Sequence, residues 1–97
     1  MTVQVILELN VKPEEIENCR KWFSTNLPDT RGKKGCVSLV MVQNQDDPSN
    51  LMVLEQWDTK EDYENYLGWR GERGDMEVLG GMVASEPSIR YYDSFGV

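Results

Sequence analysis

The chain has 97 residues, which suits a single domain spanning residues 1–97. Its formal net charge of -7, with no histidine, argues against a nucleic-acid partner, because phosphate neutralisation requires clustered lysine and arginine. No apolar run approaches the ~20 residues that span a bilayer. The N-terminus also lacks the blocks of a secretion signal. Cys19 and Cys36 form neither a disulfide framework nor a metal motif, so we expect no metal and a reduced, cytoplasmic protein. A disulfide between them is the less favoured alternative.

The first half of the chain predicts a strand and a helix. Apolar and polar residues alternate from Thr2 to Asn10, except at Ile6, which indicates a half-buried strand. Pro13 suits the first turn of a helix, and Pro28 predicts its end. Thr30–Gly35 is expected to be a polar loop. The helix carries one core-facing stripe: Ile16, Cys19, Phe23 and Leu27.

The middle of the chain predicts a hairpin. Its strands are Cys36–Gln43 and Leu51–Trp57, joined by a turn at Asp46–Asn50. In the first strand, one face is expected to carry Val37, Leu39 and Met41 and the other Val40 and Val42. The second strand begins with four consecutive apolar residues, Leu51–Leu54, so it presents apolar groups on both faces.

The last part predicts a second helix, a short third helix and a final strand. Thr59 followed by Asp62 resembles a capping box, and Tyr63, Tyr66 and Leu67 share one side of the helix that follows. Three glycines are expected to break this helix: Gly68, Gly71 and Gly74. Asp75 is a candidate cap for a short helix carrying Val78, Leu79 and Met82, and Pro87 precedes a strand from Ser88 to Phe95.

The resulting order, β-α-β-β-α-β, predicts an α+β, ferredoxin-like fold with a four-stranded antiparallel sheet and its helices on one face. The other face would carry Val40, Val42 and alternate members of Leu51–Leu54. Monomers rarely expose a large contiguous apolar patch, so we expect a second copy to cover it in a homodimer. A tail folded back over the sheet is the alternative, but no free segment is long enough.

At this level the chain resembles the antibiotic biosynthesis monooxygenase family of dimeric α/β barrels. The likeness covers nearly the whole length and depends on the order of several short pieces. These are Thr30-Arg31 before Gly35-Cys36, the Asp47-Pro48 turn, Glu55-x-Trp57 leading into Thr59, and the final Pro87–Tyr92 segment. The resemblance implies a cavity between sheet and helices. It also implies oxidation of quinols or polycyclic phenols by O2 without metal, flavin or other cofactor.

The resemblance also implies candidate catalytic residues. Trp57 and Tyr63 match a tryptophan and tyrosine of one family enzyme, whereas Val53 stands where that enzyme has an asparagine. Tyr66 occupies a position where many members have histidine. A phenol, with a pKa near ~10, is a poor base at neutral pH. The haem-degrading branch requires a histidine ligand, which this chain lacks. Burial in the core would equally explain Trp57 and Tyr63.

The segment around Trp69, Arg70 and Arg73 is a candidate substrate-binding site, because arginines beside a tryptophan can clamp a carboxylate or stack on a planar ring. The alternative is a solvated loop whose arginines pair with Glu72, Asp75 or Glu77. The sequence thus favours a cofactor-independent monooxygenase acting on a quinol-like or aromatic molecule. The competing hypothesis is a non-catalytic ligand-binding or stress-response dimer.

Overall fold

A computed structural model describes residues 2–97, which form four strands, a 3₁₀ turn and three α-helices. The strands are β1 (Val3–Asn10), β2 (Cys36–Gln43), β3 (Asn50–Trp57) and β4 (Ser88–Tyr92). The 3₁₀ turn, Pro13–Glu15, leads into α1 (Ile16–Arg31) and is followed later by α2 (Lys60–Glu72) and α3 (Asp75–Gly80). Within the described residues, no helix is both long enough and apolar enough to cross a bilayer.

The strands form one antiparallel sheet in the order β2-β3-β1-β4. This confirms the predicted α+β, ferredoxin-like fold. Strand β3 is central and pairs with β1 from Val3–Trp57 to Asn10–Asn50. Because side chains alternate across a strand, this register places each residue's face unambiguously.

One face of the sheet packs against the helices and forms the core. Its buried members include Val5, Leu9, Leu51, Val53 and Trp57, and α1 adds its predicted stripe. The opposite face, which we call the far face, remains largely uncovered. Val40 and Leu54 are paired across β2 and β3 on that face and are 52% and 37% exposed.

Two features of β2 and α1 differ from the prediction. The helix does not end before Pro28 but continues to Arg31, so Thr30 is helical and not part of a loop. Proline in a helix interior costs about 3 kcal/mol. Here the last turn is retained because it buries Leu27 and Thr30. In β2, a bulge between Cys36 and Ser38 turns Val37 outward, where it is 51% exposed, so Val37 does not share the face of Leu39.

Two further predictions near the C-terminus are wrong. Helix α2 runs through Gly68 and Gly71 without interruption, and of the three glycines only Gly74, with φ 82°, lies in the break between α2 and α3, next to Arg73. Buried Arg70 lies between the two glycines, and its contacts hold this turn in helical form. Strand β4 ends at Tyr92 and not at Phe95, because Tyr92 already pairs with Gln4 near the start of β1.

The start of α2 is fixed by local chemistry that the sequence predicts. The Thr59 hydroxyl accepts a hydrogen bond from the Asp62 backbone amide at 3.0 Å, as an N-cap does. The Asp62 side chain lies against Gly35, which has φ 89°, and a Cβ atom at Gly35 would collide with that carboxylate. Glycine at this position therefore permits both the turn into β2 and the close approach of α2.

Candidate functional site

A cavity of about 320 Å³ lies between the core face of the sheet and the helices. Its lining is mainly apolar and comes from the sheet and all three helices, including Leu7, Leu9, Phe23, Leu27, Val53 and Leu79. A few polar side chains also line it: Glu55, Tyr63, Tyr66, Arg70, Asp75 and Glu86. An apolar cavity with a small number of polar groups is the usual form of a small-molecule site.

An aromatic cluster forms one end of this site. The Trp57 ring lies 5.5 Å from the Tyr63 ring and 5.2 Å from the Tyr66 ring, between ring centroids. Tyr91 of β4 packs edge-on against Tyr63 at 5.9 Å. The structure thus brings the three candidate catalytic residues together. Trp57, however, is fully buried behind the cavity wall, and of the three only Tyr63 and Tyr66 line the cavity.

Tyr63 is suited to donating a hydrogen bond. Burial raises the pKa of its hydroxyl well above the usual value, and the neighbouring Glu55 carboxyl raises it further. The hydroxyl therefore stays protonated at all ordinary pH values. It makes no hydrogen bond with another group of residues 2–97, so its donor remains available to a ligand.

The Tyr66 hydroxyl, in contrast, already has partners in the protein. It shares a hydrogen bond of 2.9 Å with the Thr30 hydroxyl and accepts one of 2.9 Å from Arg70 Nε. These bonds tie α2 to the last turn of α1. Tyr66 therefore presents mainly its ring to the cavity.

Arg70 holds the helices together. Besides Tyr66, its guanidinium donates to the Asn26 carbonyl at 2.7 Å, to the Thr30 hydroxyl at 2.8 Å and to the Asp75 carboxylate at 3.0 Å. The side chain is 2% exposed and links all three helices. All three guanidinium nitrogens therefore already donate to protein groups.

Trp69 and Arg73 lie outside the cavity. The Trp69 ring is covered by the Lys33 ammonium, 3.4 Å from its centroid, and by Arg73 at 4.9 Å. Arg73 also pairs with Asp75 at 3.1 Å, as the solvated-loop alternative proposes, although this segment is helical. The structure does not bring these two side chains into the same space as Tyr63. A substrate contact by Trp69, Arg70 and Arg73 stays a prediction.

Glu55 is a site residue that the sequence analysis did not select. It lies on the core face of β3 and is only 5% exposed, and Trp57 Nε1 donates a 3.1 Å hydrogen bond to Oε1. Burial raises the pKa of its carboxyl to about 7, although the Trp57 bond acts in the opposite direction. The signal was present in the sequence, because alternation in β3 places Glu55 on the same face as Val53 and Trp57.

No cluster of three or more histidine, cysteine or acidic side chains within residues 2–97 could hold a metal ion. A second depression, of about 340 Å³, lies between α1 and the edge strand β2. Of its two arginines, Arg20 is exposed and pairs with Glu17, and Arg31 donates to the Leu39 carbonyl at 3.5 Å. The chemistry of buried polar groups therefore favours the sheet–helix cavity as the functional site.

Comparison with known proteins agrees with this architecture. The sequence model of the antibiotic biosynthesis monooxygenase family matches residues 2–69. A conserved protein from Methanosarcina mazei has a TM-score of 0.88 and 19% identity, over 97% of this chain and 93% of that one. A structure described as an antibiotic biosynthesis monooxygenase has a TM-score of 0.85 and 16% identity, over 95% and 97% of the two chains. A Deinococcus radiodurans protein provisionally given the same description has a TM-score of 0.84 and 18% identity, over 98% and 94%. No curated protein matches the sequence.

The Arg70 contacts predict a large effect on stability. Arg70→Leu should lower the free energy of unfolding by about 3–5 kcal/mol, because it leaves several buried acceptors without their donor. Arg73→Leu is the matched control, since Arg73 bonds the same Asp75 oxygen from an exposed position and should cost about 1 kcal/mol or less. Urea denaturation of both variants measures the difference. Equal losses would contradict this assignment.

The raised pKa of Glu55 predicts a pH-dependent stability. Between pH 4.5 and about 7 the unfolded chain releases this proton while the native protein retains it, so native stability falls as the pH rises. A rise of the pKa from 4.5 to about 7 corresponds to about 3 kcal/mol in the free energy of unfolding. Relative to wild type, Glu55→Gln should therefore gain about 3 kcal/mol between pH 4 and pH 8, measured by urea unfolding. Glu64→Gln, at an exposed position of α2, should show the wild-type dependence of stability on pH. If Glu55→Gln also showed the wild-type dependence, the raised pKa of Glu55 would be refuted.

Proposed function

Because the chain belongs to the antibiotic biosynthesis monooxygenase family, we propose that it is a cofactor-independent monooxygenase acting on a quinol-like or aromatic small molecule. The observation that carries this proposal is the apolar sheet–helix cavity, into which Glu55 and Tyr63 present polar groups. Its volume, about 320 Å³, is at the lower end of the ~300–1,000 Å³ typical of ligand pockets. A small, flat, mostly apolar ligand suits these dimensions.

In the proposed reaction the protein supplies positioning and exclusion of water. The apolar walls desolvate the ring, and the Tyr63 hydroxyl donates a hydrogen bond to a substrate oxygen. Trp57 supports both Tyr63 and Glu55 from behind. As the family resemblance implies, the electrons that reduce O2 come from the substrate.

Two observations favour the alternative of a ligand-binding protein without catalysis. The family asparagine is replaced by Val53, whose side chain lines the cavity and offers no polar group. The Tyr66 hydroxyl is bonded to Thr30 and Arg70 and is not available to a substrate. The same cavity would then hold an aromatic ligand without oxidising it.

We also propose that the protein is a homodimer in which two far faces pack together. Support comes from the apolar side chains of that face: Ile6, Val40, Val42, Met52 and Leu54. Arg90 on the same face pairs with Glu8 at 3.1 Å, yet its Nε is buried without a hydrogen-bond partner among residues 2–97. Buried donors are nearly always bonded, and a second subunit would supply an acceptor.

A reducing, cytoplasmic location is part of the proposal. Cys19 and Cys36 are both free thiols, and burial raises the pKa of each. Such thiols are largely unreactive, as is usual for structural cysteines in reducing compartments.

The proposed activity predicts O2-dependent oxidation of a hydroquinone or naphthol without added cofactor. Tyr63→Phe should lower turnover by about 10²-fold, because it removes one positioned donor. The melting temperature should change little, since that hydroxyl has no partner to strand among residues 2–97. Oxygen uptake and thermal unfolding are measured on the same variant.

Tyr92→Phe is the matched control, because it makes the same chemical change outside the cavity and should leave turnover unaltered, with light scattering to verify that its mass is that of wild type. A Tyr63→Phe protein as active as wild type would remove that hydroxyl from the mechanism. Tight binding of a naphthol with no turnover across a panel of quinols would support the ligand-binding alternative.

The proposed dimer predicts a mass of twice 11.2 kDa by light scattering at micromolar concentration, and an interface above the ~1,200 Å² lower limit of specific complexes. Leu54→Glu should give a monomeric or unfolded chain, since it buries an unpaired charge in the interface. Val78→Glu, at a 49% exposed position of α3, should leave the dimer intact. A wild-type mass of 11.2 kDa, or a folded Leu54→Glu dimer, would rule out this interface.

A further inference from the structure

Glu55 is a buried carboxyl group with little to stabilise its charge. Among residues 2–97, its side chain receives one hydrogen bond, from Trp57 Nε1 to Oε1 at 3.1 Å. A buried carboxylate usually accepts two or three bonds or pairs with a cation. Glu55 lines the cavity, so a ligand there can approach the carboxyl group directly.

The groups around Glu55 do not compensate its charge. Its neighbours on the other elements are a thiol of β2 and phenols of α2 and β4, and burial raises the pKa of each: Cys36, Tyr63 and Tyr91. The Tyr66 phenol also lines the cavity. Helix α1 contributes only apolar and aromatic side chains to the cavity. The cavity's arginine, Arg70, is already paired with Asp75 at 3.0 Å, and Glu86 at the cavity edge is itself acidic. The Glu55 carboxylate is therefore a stronger proton acceptor than a solvent-exposed carboxylate would be.

We propose that the Glu55 carboxylate accepts the hydroxyl proton of a phenolic substrate bound in the cavity, an inference that rests on the proposed function. In this step the substrate O–H bond breaks, the proton moves to Glu55, and the electron pair stays on the phenolate oxygen. Glu55 becomes neutral, and no oxidant takes part. The electron-rich phenolate is then the form that reacts with O2. Glu55 thus takes the acid–base role at this site, since the Tyr66 hydroxyl is already bonded to Thr30 and Arg70.

The electrostatics agree with this role. Burial raises the pKa of Glu55 to about 7, so near neutral pH the residue is divided between acid and base forms. General bases are most effective when their pKa lies near the working pH. The carboxylate form predominates above about pH 7, and proton transfer from the substrate should therefore increase as the pH rises through that value.

The first test is the pH dependence of turnover with a naphthohydroquinone as substrate. Wild-type kcat/KM should rise through about pH 7, whereas Glu55→Gln should be about 10²–10⁴-fold slower and lack this transition. Glutamine keeps the side chain's size and still accepts the Trp57 bond. The loss of activity in Glu55→Gln should shrink at high pH, where the naphthohydroquinone ionises without help from a base. A purely structural Glu55 would give a uniform loss at every pH, which would overturn the proposal. Glu64→Gln, outside the cavity, should retain the wild-type profile.

The second test does not require oxidation. Binding of 2-naphthol is measured by fluorescence without oxygen, across the same pH range. A carboxylate accepts a hydroxyl bond more strongly than a neutral acid, so wild-type affinity should rise about tenfold through pH 7, and the affinity of Glu55→Gln should be constant. If this difference appears but no quinol is oxidised, the monooxygenase proposal fails and the Glu55 contact is supported. Equal profiles for the two proteins, or no naphthol binding by wild type, would overturn the contact.

Discussion

The arrangement of the helices depends on the hydrogen bonds made by the buried Arg70 guanidinium. It lies near the end of α2 and bonds groups from α1, α2 and α3, so one side chain fixes the positions of three helices over the sheet. Burying this cation is tolerable because hydrogen bonds and Asp75 compensate it. These bonds connect the three helices that, together with the sheet, enclose the cavity.

Glu55 presents the opposite situation within the same cavity. Arg70 has four hydrogen bonds to protein groups, whereas Glu55 has one. A buried charge that is fully bonded within the protein has little capacity left for a ligand, whereas titratable groups with strongly shifted pKa values occur more often at sites of chemistry. The distribution of bonds thus separates the supporting residues from those that retain bonding capacity for a ligand, and it assigns Glu55 and Tyr63 to the second group.

The order of elements along the chain and the apolar core faces of the strands and of α1 could be predicted from the sequence, because both depend on short-range patterns. Alternation defined β1, a turn followed by a continuous apolar run defined β3, and the Thr59 hydroxyl caps α2 as its spacing suggests. The errors at Pro28, Gly68 and Gly71 share a physical cause. Local preference disfavours a helix at each, but the burial of Thr30 and Arg70 outweighs it. Tertiary contacts between residues 40 positions apart cannot be read from a local pattern.

The position of Glu55 shows why site residues are harder to predict than the fold. Alternation along β3 predicts the face of the strand on which Glu55 lies. A glutamate is ordinarily exposed, however, and Glu55 is buried only because the helices cover that face of β3. Burial changes its chemistry, because the same carboxyl group that would be ionised in water keeps its proton up to about pH 7 here. The functional property thus belongs to the assembled sheet and helices.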